Sequence, residues 1–304
     1  MPPHILSLPT EILGQILSLL PVCSLLRFSC TSRYSYAMAT ANLRTLSLGI
    51  APYHPHLPSK SLPHTYPYES WLRIPNMQDY TYNTLFNFQS ALVSSLLVRY
   101  AAMLQHIDLS VWSLSVPMAN ALRSLHALKT LALRFDSGSH GRSAHRCHIA
   151  AERAEQRKAW EVLAQNPPVW SRRLCALKLE NADLSTEQLG VLLAESGECR
   201  EVVLERCSGV GSEFWPFLQS WRGRERLRVL ELSDCGGLLG EETVTTIRSL
   251  KGLERLNLYD CQEIAAGLLQ RWNEDVWRIA DFVPPRSRAQ GEDMVIEVDP
   301  AYMS

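Results

Sequence analysis

A six-residue pattern of apolar positions, L-x-x-L-x-L, recurs through the middle and the end of the chain. Its starts are separated by 24, 46, 25, 28 and 26 residues. The last two apolar positions lie two residues apart, so both point to one side of a β-strand. Repetition at this period predicts a solenoid whose strands stack into one parallel sheet. The copies are Leu104-Ile107-Leu109, Leu128-Leu131-Leu133, Leu174-Leu177-Leu179, Cys199-Val202-Leu204, Leu227-Leu230-Leu232 and Leu253-Leu256-Leu258.

The segments between these strands have helical periodicity. Ser185 and Gln188 form a candidate capping box in front of an apolar helix. The 46-residue interval is close to two ordinary repeats, which predicts a degenerate unit between Phe135 and Arg173. Residues 43–48 predict a first strand or a start cap, and residues 83–104 predict an amphipathic helix. The apolar positions of that helix are Leu85, Phe88, Leu92, Leu96, Tyr100 and Leu104.

The first forty residues have a different pattern, with apolar residues at three- and four-residue steps behind Pro9. This spacing predicts a short amphipathic helix that ends before Pro21. Ser24 is a candidate cap of a second helix, and residues 31–32 of a third. So short a segment cannot bury this apolar surface alone. The pattern alone is consistent with a helical hairpin or solenoid cap that packs on the following domain, or with a module that buries its apolar surface on a partner protein.

Residues 8–9, 12–13, 16–17, 20–21 and 25–26 form an apolar run with prolines at positions 9 and 21. This run resembles the F-box, a three-helix module of SCF ubiquitin ligases. Ser24 departs from an often acidic family position, and Tyr34 or Tyr36 replaces the family's tryptophan. The resemblance implies that the helices bind a Skp-type adaptor and, through it, a cullin. Residues 11 and 29–33 also match the family. The residues expected to contact the adaptor are Leu8, Pro9, Ile12, Leu13, Ile16, Leu17, Leu20, Pro21, Leu25 and Leu26.

Three repeats carry a cysteine three residues after the last strand leucine, at Cys207, Cys235 and Cys261. A metal or redox site is the functional alternative. A buried thiol at a turn fits better, because stacked layers contribute one thiol each and no matching histidine. The layout resembles cysteine-containing leucine-rich repeats, best over residues 189–207, and such repeats commonly follow an F-box.

The expected fold class is therefore α/β, with a three-helix F-box followed by a leucine-rich-repeat solenoid. The resemblance implies a parallel sheet on the concave face and helices on the convex face. The domain prediction is an F-box at 1–42, a first strand or cap with a proline-rich linker at 43–82, and a repeat domain at 83–283. That domain includes an insertion at about 136–154, and a polar to acidic tail follows at 284–304.

Bulk composition excludes several classes of protein. The 304 residues carry a formal net charge of −1, so no global field attracts nucleic acid or anionic membranes. No apolar run reaches the roughly 20 residues of a membrane span, and no secretory signal is recognisable. The eight cysteines include no CxxC pair and are expected to be reduced, in the cytoplasm or nucleus.

Two histidine-bearing segments are candidate metal sites. The proline-rich segment carries His54, His56 and His64, but no thiol or carboxylate cluster joins them, which favours a solvated loop. The insertion carries His140, His145, Cys147 and His148. Adjacent Cys147 and His148 make joint zinc ligation awkward, so a polar loop is favoured and no metal is expected.

No catalytic motif is recognisable, so the chain is expected to be a non-enzymatic binding protein without cofactors. We expect it to be the substrate-recognition subunit of an SCF-type ligase, with an F-box scaffold outside ubiquitin ligation as the alternative. Glu180, Glu201, Glu205 and Glu231 form either an acidic patch for a basic partner segment or a merely solvated face. The residues expected to contact a protein substrate are Lys178, Glu180, Glu201, Glu205, Glu231, Arg255, Asn257 and Tyr259.

Overall fold

The computed structural model describes residues 5, 8–20, 22–52, 70–74, 76, 79–135, 146–235, 239–261 and 266–285. The chain begins with helices α1 (Thr10–Ser18), α2 (Val22–Ser29) and α3 (Arg33–Asn42). Helices α1 and α2 both pack against α3, and α2 also contacts the first strand. The buried side chains of these helices belong to the same hydrophobic cluster as the rest of the molecule.

The described residues form a nine-stranded parallel sheet with the order β2-β1-β3-β4-β5-β6-β7-β8-β9. Every copy of the six-residue pattern supplies a strand, and residues 45–52 supply the first strand, as predicted. The strands are β1 (Thr45–Pro52), β2 (Ser70–Ile74), β3 (His106–Val111), β4 (Thr130–Phe135), β5 (Ala176–Glu180), β6 (Glu201–Glu205), β7 (Val229–Ser233), β8 (Arg255–Asn257) and β9 (Asp281–Val283).

The repeat pattern sets the register of the sheet. The middle apolar residue of each copy pairs with the same position in the next strand. Burying these side chains against the helices forms a continuous apolar row, which no single strand could bury alone. The row runs through Leu46, Ile107, Leu131, Leu177, Val202, Leu230, Leu256 and Phe282.

From β2 onward a helix lies between successive strands and shares the hydrophobic cluster with them. Thr81, Ser115 and Ser185 cap three of the helices with their side-chain oxygens. The predicted capping box at Ser185 and Gln188 is confirmed, because both of its hydrogen bonds are present. The helices are α4 (Tyr82–Arg99), α5 (Val116–Arg123), α6 (Arg146–Leu163), α7 (Thr186–Leu193), α8 (Phe214–Ser220), α9 (Glu241–Ser249) and α10 (Ala266–Trp272).

The prediction of a degenerate unit between Phe135 and Arg173 is wrong. Strand β4 pairs directly with β5, so no strand lies between them. The long interval instead contains α6, an 18-residue helix that buries Trp160 completely. The expected polar loop therefore extends at most to residue 145, since α6 begins at Arg146. The side chains of residues 140–148 lie outside the described residues.

Helix α4 and the turn after it bury most of the predicted apolar face, since Leu85, Tyr100 and Leu104 are buried and Leu92 and Leu96 are partly buried. Phe88 is exposed, whereas Gln89 is fully buried together with Leu85, Val93 and Leu97. The Gln89 amide donates to the Ser113 carbonyl at 2.9 Å, and its oxygen accepts from the Trp112 N–H at 2.7 Å. The nitrogen and the oxygen of the side-chain amide thus each have a hydrogen-bond partner, so the glutamine occupies the core at no large desolvation cost. A hydrophobic pattern cannot reveal such a position.

The proline-rich region contains an edge strand that the sequence did not predict. Strand β2 pairs only with β1, at the end of the sheet, where a strand near prolines is tolerated. Residues 53–69, with the three histidines of this region, lie outside the described residues. The C-terminal tail beyond residue 285 does so too.

The turns that follow the later strands repeat one conformation. Each has a left-handed residue two positions after the last strand leucine, at Asn181, Arg206, Asp234 and Asp260. Asparagine and aspartate tolerate this conformation better than other non-glycine residues. In the last three of these turns the next residue is a cysteine, which donates from Sγ to a backbone carbonyl of the preceding layer. The pairs are Cys207 with Leu179 at 3.6 Å, Cys235 with Leu204 at 3.3 Å and Cys261 with Leu232 at 3.2 Å.

Thiol labelling tests this arrangement. Burial raises the pKa of Cys199 and of Cys261 to about 12, whereas Cys30 is exposed. At pH 8 we expect iodoacetamide to modify Cys30 in the folded chain and to spare Cys199 and Cys261 until urea unfolds it, because the thiolate is the nucleophile. Peptide mass spectrometry measures both. Equal labelling of Cys261 and Cys30 before unfolding would contradict the buried column of thiols.

Candidate functional site

The N-terminal helices divide the predicted adaptor-binding residues into two groups. Leu13, Leu17 and Leu25 are at most 4% exposed and pack inside the chain's own core. Their assignment as direct contacts is corrected, because a side chain already buried cannot also be buried by a partner. Ile16 and Leu20 are partly buried. The side chains of Pro21 and Leu26 lie outside the described residues.

A set of large apolar side chains remains on the outside of these helices. Leu8 and Ile12 are 37% and 44% exposed, and Pro9 is exposed beside them. Leu19 is 84% exposed although the sequence did not single it out. It lies seven residues after Ile12 and three after Ile16, so helical spacing places it on the same face and could have indicated it. We call the following set the N-terminal apolar surface: Ile5, Leu8, Ile12, Leu19, Tyr34 and Tyr36.

Capping explains how the third helix is held. Ser32 precedes α3 and its hydroxyl accepts from the Ser35 N–H at 3.0 Å, which confirms the predicted cap. Ser35 is fully buried against the same hydroxyl and against Thr31. The other predicted cap is wrong, since α2 begins at Val22 and Ser24 lies within it. Tyr34 and Tyr36 therefore project from a helix whose start is fixed.

The second predicted site lies on the sheet face opposite the buried leucines. Register places Lys178, Glu231 and Asn257 in one row, with Val203 between the first two. Glu201 and Arg255 lie in the row beside it, and Tyr259 follows β8. The sheet thus brings the predicted residues together on neighbouring strands about 4.8 Å apart. We call this surface the polar face of the sheet.

The four carboxylates predicted on the polar face, Glu180, Glu201, Glu205 and Glu231, are each paired with a cation. Lys178 contacts Glu201 at 2.7 Å, and Arg255 contacts Glu231 at 3.0 Å and Asp281 at 3.3 Å. Of the two alternatives for this face, the ion pairs speak against an unpaired acidic patch, because the carboxylates alternate with cations in a ladder of charges. Arginines from neighbouring layers, which sequence reasoning did not include, complete it. Glu180 lies between Arg134 and Arg206, and Arg206 also contacts Glu205 at 3.3 Å.

Two adjoining depressions lie on this face, with volumes of about 280 and 190 Å³. They share Asp108, Ala132 and Lys178 in their walls, and the small side chain of Ala132 leaves the space between its neighbours. His106 lines the larger one and contacts Thr130 Oγ1 through Nδ1 at 2.9 Å. Burial and the charge of Lys129 lower the pKa of His106, so the ring is neutral at pH 7.

Folding raises the pKa of Glu205, one of the carboxylates of this face. Burial and the charge of Glu180 raise the pKa of Glu205 despite the contact with Arg206. The folded state therefore binds this proton more tightly than the unfolded state, and stability is lost as pH rises above the unfolded value of about 4.5. We expect Glu205→Gln to be more stable than wild type at pH 7.

The pH dependence distinguishes this cause from a general effect of the substitution. The advantage of the variant should shrink toward pH 4, because Glu205 is then protonated in both states. Urea midpoints of the two chains between pH 4 and pH 8 measure it. A variant less stable at pH 7 than at pH 4, relative to wild type, would show that the Arg206 contact outweighs burial.

No helix in the described part of the chain combines the length and apolar character that a membrane crossing requires. Nor do histidine, cysteine and carboxylate side chains gather in threes or more around a possible metal position within those same residues.

Searching the curated proteins gave no match to this chain. Residues 5–43 match the family model of the F-box domain, and they include the whole of α1, α2 and α3. The chain therefore carries an F-box domain at its N-terminal end, which implies a role in binding an SCF adaptor.

Proposed function

We propose that this chain is the substrate-recognition subunit of an SCF-type ubiquitin ligase. The F-box binds a Skp-type adaptor and, through it, a cullin, while the following layers bind the protein to be ubiquitylated. The observation that carries the proposal is the N-terminal apolar surface. The core of the three helices is complete without Leu8, Ile12 and Leu19, so these side chains are free to be buried by a partner.

The following layers are proposed to be leucine-rich repeats of the cysteine-containing kind, arranged as a solenoid with the sheet on its concave face. Supporting this are the parallel sheet built from one repeated pattern, the helix between successive strands, and the thiol-to-carbonyl bonds that link the layers. The proposed domains are the F-box at 1–42, the first strand and linker at 43–82, the repeats at 83–283 and the tail at 284–304.

The polar face of the sheet is the proposed substrate surface. Lys178, Glu201, Arg255 and their neighbours pair with one another, so the face offers matched donors and acceptors rather than one sign of charge. Such a surface favours a partner segment that carries both signs, since complementary charges set specificity more than affinity. No residue of the chain is proposed to do covalent chemistry. Its contribution is proximity, which raises the effective concentration of the target near the conjugating enzyme.

Co-expression with a Skp-type adaptor tests the proposal. We expect the wild-type chain to co-purify with the adaptor. A Leu8→Ala, Pro9→Ala variant should recover much less adaptor. Failure of the wild type to form a complex would eliminate every adaptor-dependent function and leave the helices as a cap of the sheet. Recovery of a cullin in the same complex is expected for a ligase subunit, and its consistent absence would favour a scaffold outside ubiquitin ligation.

A further inference from the structure

One edge of the sheet carries a row of basic side chains that the proposed function does not use. The row lies one position before the first strand residue in successive layers and includes Arg44, Lys129, Arg200 and Arg228. All four are exposed. We call this set the basic edge. Gln105, Cys175 and Glu254 occupy the same position in the other layers between β1 and β8.

The backbone holds these residues at fixed spacing. The Arg44 carbonyl accepts from two N–H groups of the next layer, at 2.8 and 3.0 Å, and the carbonyls of Lys129 and Arg200 do the same. Neighbouring layers are therefore about 4.8 Å apart along the row. Five such steps separate Arg44 from Arg228, or about 24 Å, which an extended peptide of about seven residues spans.

Most of the basic edge lacks a carboxylate partner. Within the described part of the chain, Arg44, Lys129 and Arg200 have no ion pair, while Arg228 contacts Glu254 at 3.1 Å. This differs from the polar face of the sheet, where cations and carboxylates are matched. Three exposed cations on one line can bind an anionic segment without first breaking an internal ion pair.

The opposite edge of the sheet carries several acidic side chains, and Arg206, which is also exposed there, is paired with Glu180 and Glu205. Glu187, Glu213, Asp234 and Asp260 are exposed there, in turns and first helical turns that follow the strands. Helix dipoles favour acidic residues at helix starts and basic residues at helix ends. Because the strands of the described sheet are parallel, the helices that connect them, α4 to α10, start near one edge and end near the other. The charges of the layers therefore add instead of cancelling, although the net charge of the chain is only −1.

We propose that the basic edge binds a short acidic segment of a partner protein, about seven residues long and lying across the strands. Arginine forms paired hydrogen bonds with carboxylates, which suits Arg44, Arg200 and Arg228. A protein segment fits better than a nucleic acid because Glu254, Glu198 and the acidic opposite edge would repel a long polyanion. Arg44 directly follows the F-box helices, so the bound segment would begin beside them.

A fluorescein-labelled peptide of seven glutamates tests this inference by anisotropy against the full chain at low salt, with seven glutamines as the neutral control. We expect the glutamate peptide alone to bind, and more weakly as salt increases. A Lys129→Glu, Arg200→Glu variant should weaken binding about tenfold or more. The control Arg153→Glu, Lys158→Glu changes the net charge equally on the exposed side of α6 and should weaken it less than about twofold.

Three outcomes would overturn the inference. They are equal weakening by both variants, no binding by wild type, and tighter binding of a seven-nucleotide single-stranded DNA than of the peptide. A Lys129→Gln, Arg200→Gln variant guards against misfolding caused by charge reversal and should also weaken peptide binding. Adaptor capture should be unchanged in all these variants, so a failure at the basic edge is distinguishable from a failure of the F-box proposal.

Discussion

Ile12→Asp is expected to abolish capture of a Skp-type adaptor while leaving the chain folded. Ile12 is 44% exposed on α1, so the carboxylate stays hydrated in the free chain. In a complex the same carboxylate would be desolvated without a partner, which is far more costly than losing one apolar contact. We expect the melting temperature to change little, as for most exposed substitutions, and the adaptor to be lost from the co-purified complex.

The neighbouring residue supplies a matched control. Leu13→Asp makes the same kind of change one position along α1, but Leu13 is fully buried in the core. That variant should unfold the N-terminal helices, and circular dichroism should detect the loss of helix. Adaptor capture fails in both variants, yet only one of them loses structure. Normal capture by a folded Ile12→Asp chain would remove the N-terminal apolar surface from the proposed interface.

Gly209→Ala is expected to be among the most destabilising single-methyl additions in the chain. A Cβ at Gly209, in the turn after β6, would overlap the backbone carbonyl oxygen of Leu184. Backbone cannot move aside like the end of a flexible side chain, so both turns would have to shift. We expect a loss of about 3 kcal/mol of unfolding free energy, at the upper end of ordinary overpacking. Urea denaturation measures it.

Gly267→Ala is the corresponding control for the Gly209 prediction. Gly267 lies near the start of α10, and among the described residues none has an atom within 4 Å of its added Cβ. The same methyl group should there stabilise the chain by up to about 1 kcal/mol, because alanine favours the helix and restricts the unfolded state. If both variants lost similar stability, the close approach of the two turns at Gly209 would not be the cause.

Much of the sheet was predictable because its information is local. Each strand carries its own apolar pair, and residues one repeat apart meet whenever the layers stack in register. The Ser185 capping box and the Ser32 cap were equally readable, since all their atoms lie within three residues. The 46-residue interval was misread because its length fits an additional degenerate repeat as well as it fits the long helix α6.

The candidate site was less predictable because it depends on which side of a helix becomes buried. Leu13 and Ile12 are adjacent and similarly apolar, yet one is in the core and the other is on the surface. The choice follows from where α3 packs on α1, and no spacing within α1 specifies that. The pairing of the polar face likewise required Arg134 and Arg206, which the sequence places 46 and 26 residues from Glu180.

The sequence by itself determined that the chain contains a short helical module followed by stacked strand and helix units, because both depend on patterns repeated over a few residues. Only the tertiary structure decided which apolar side chains of the module stay outside, which carboxylates are neutralised, and that basic residues from separate layers align along one edge. These properties depend on distances between residues far apart in the chain, and those distances exist only once the layers are packed.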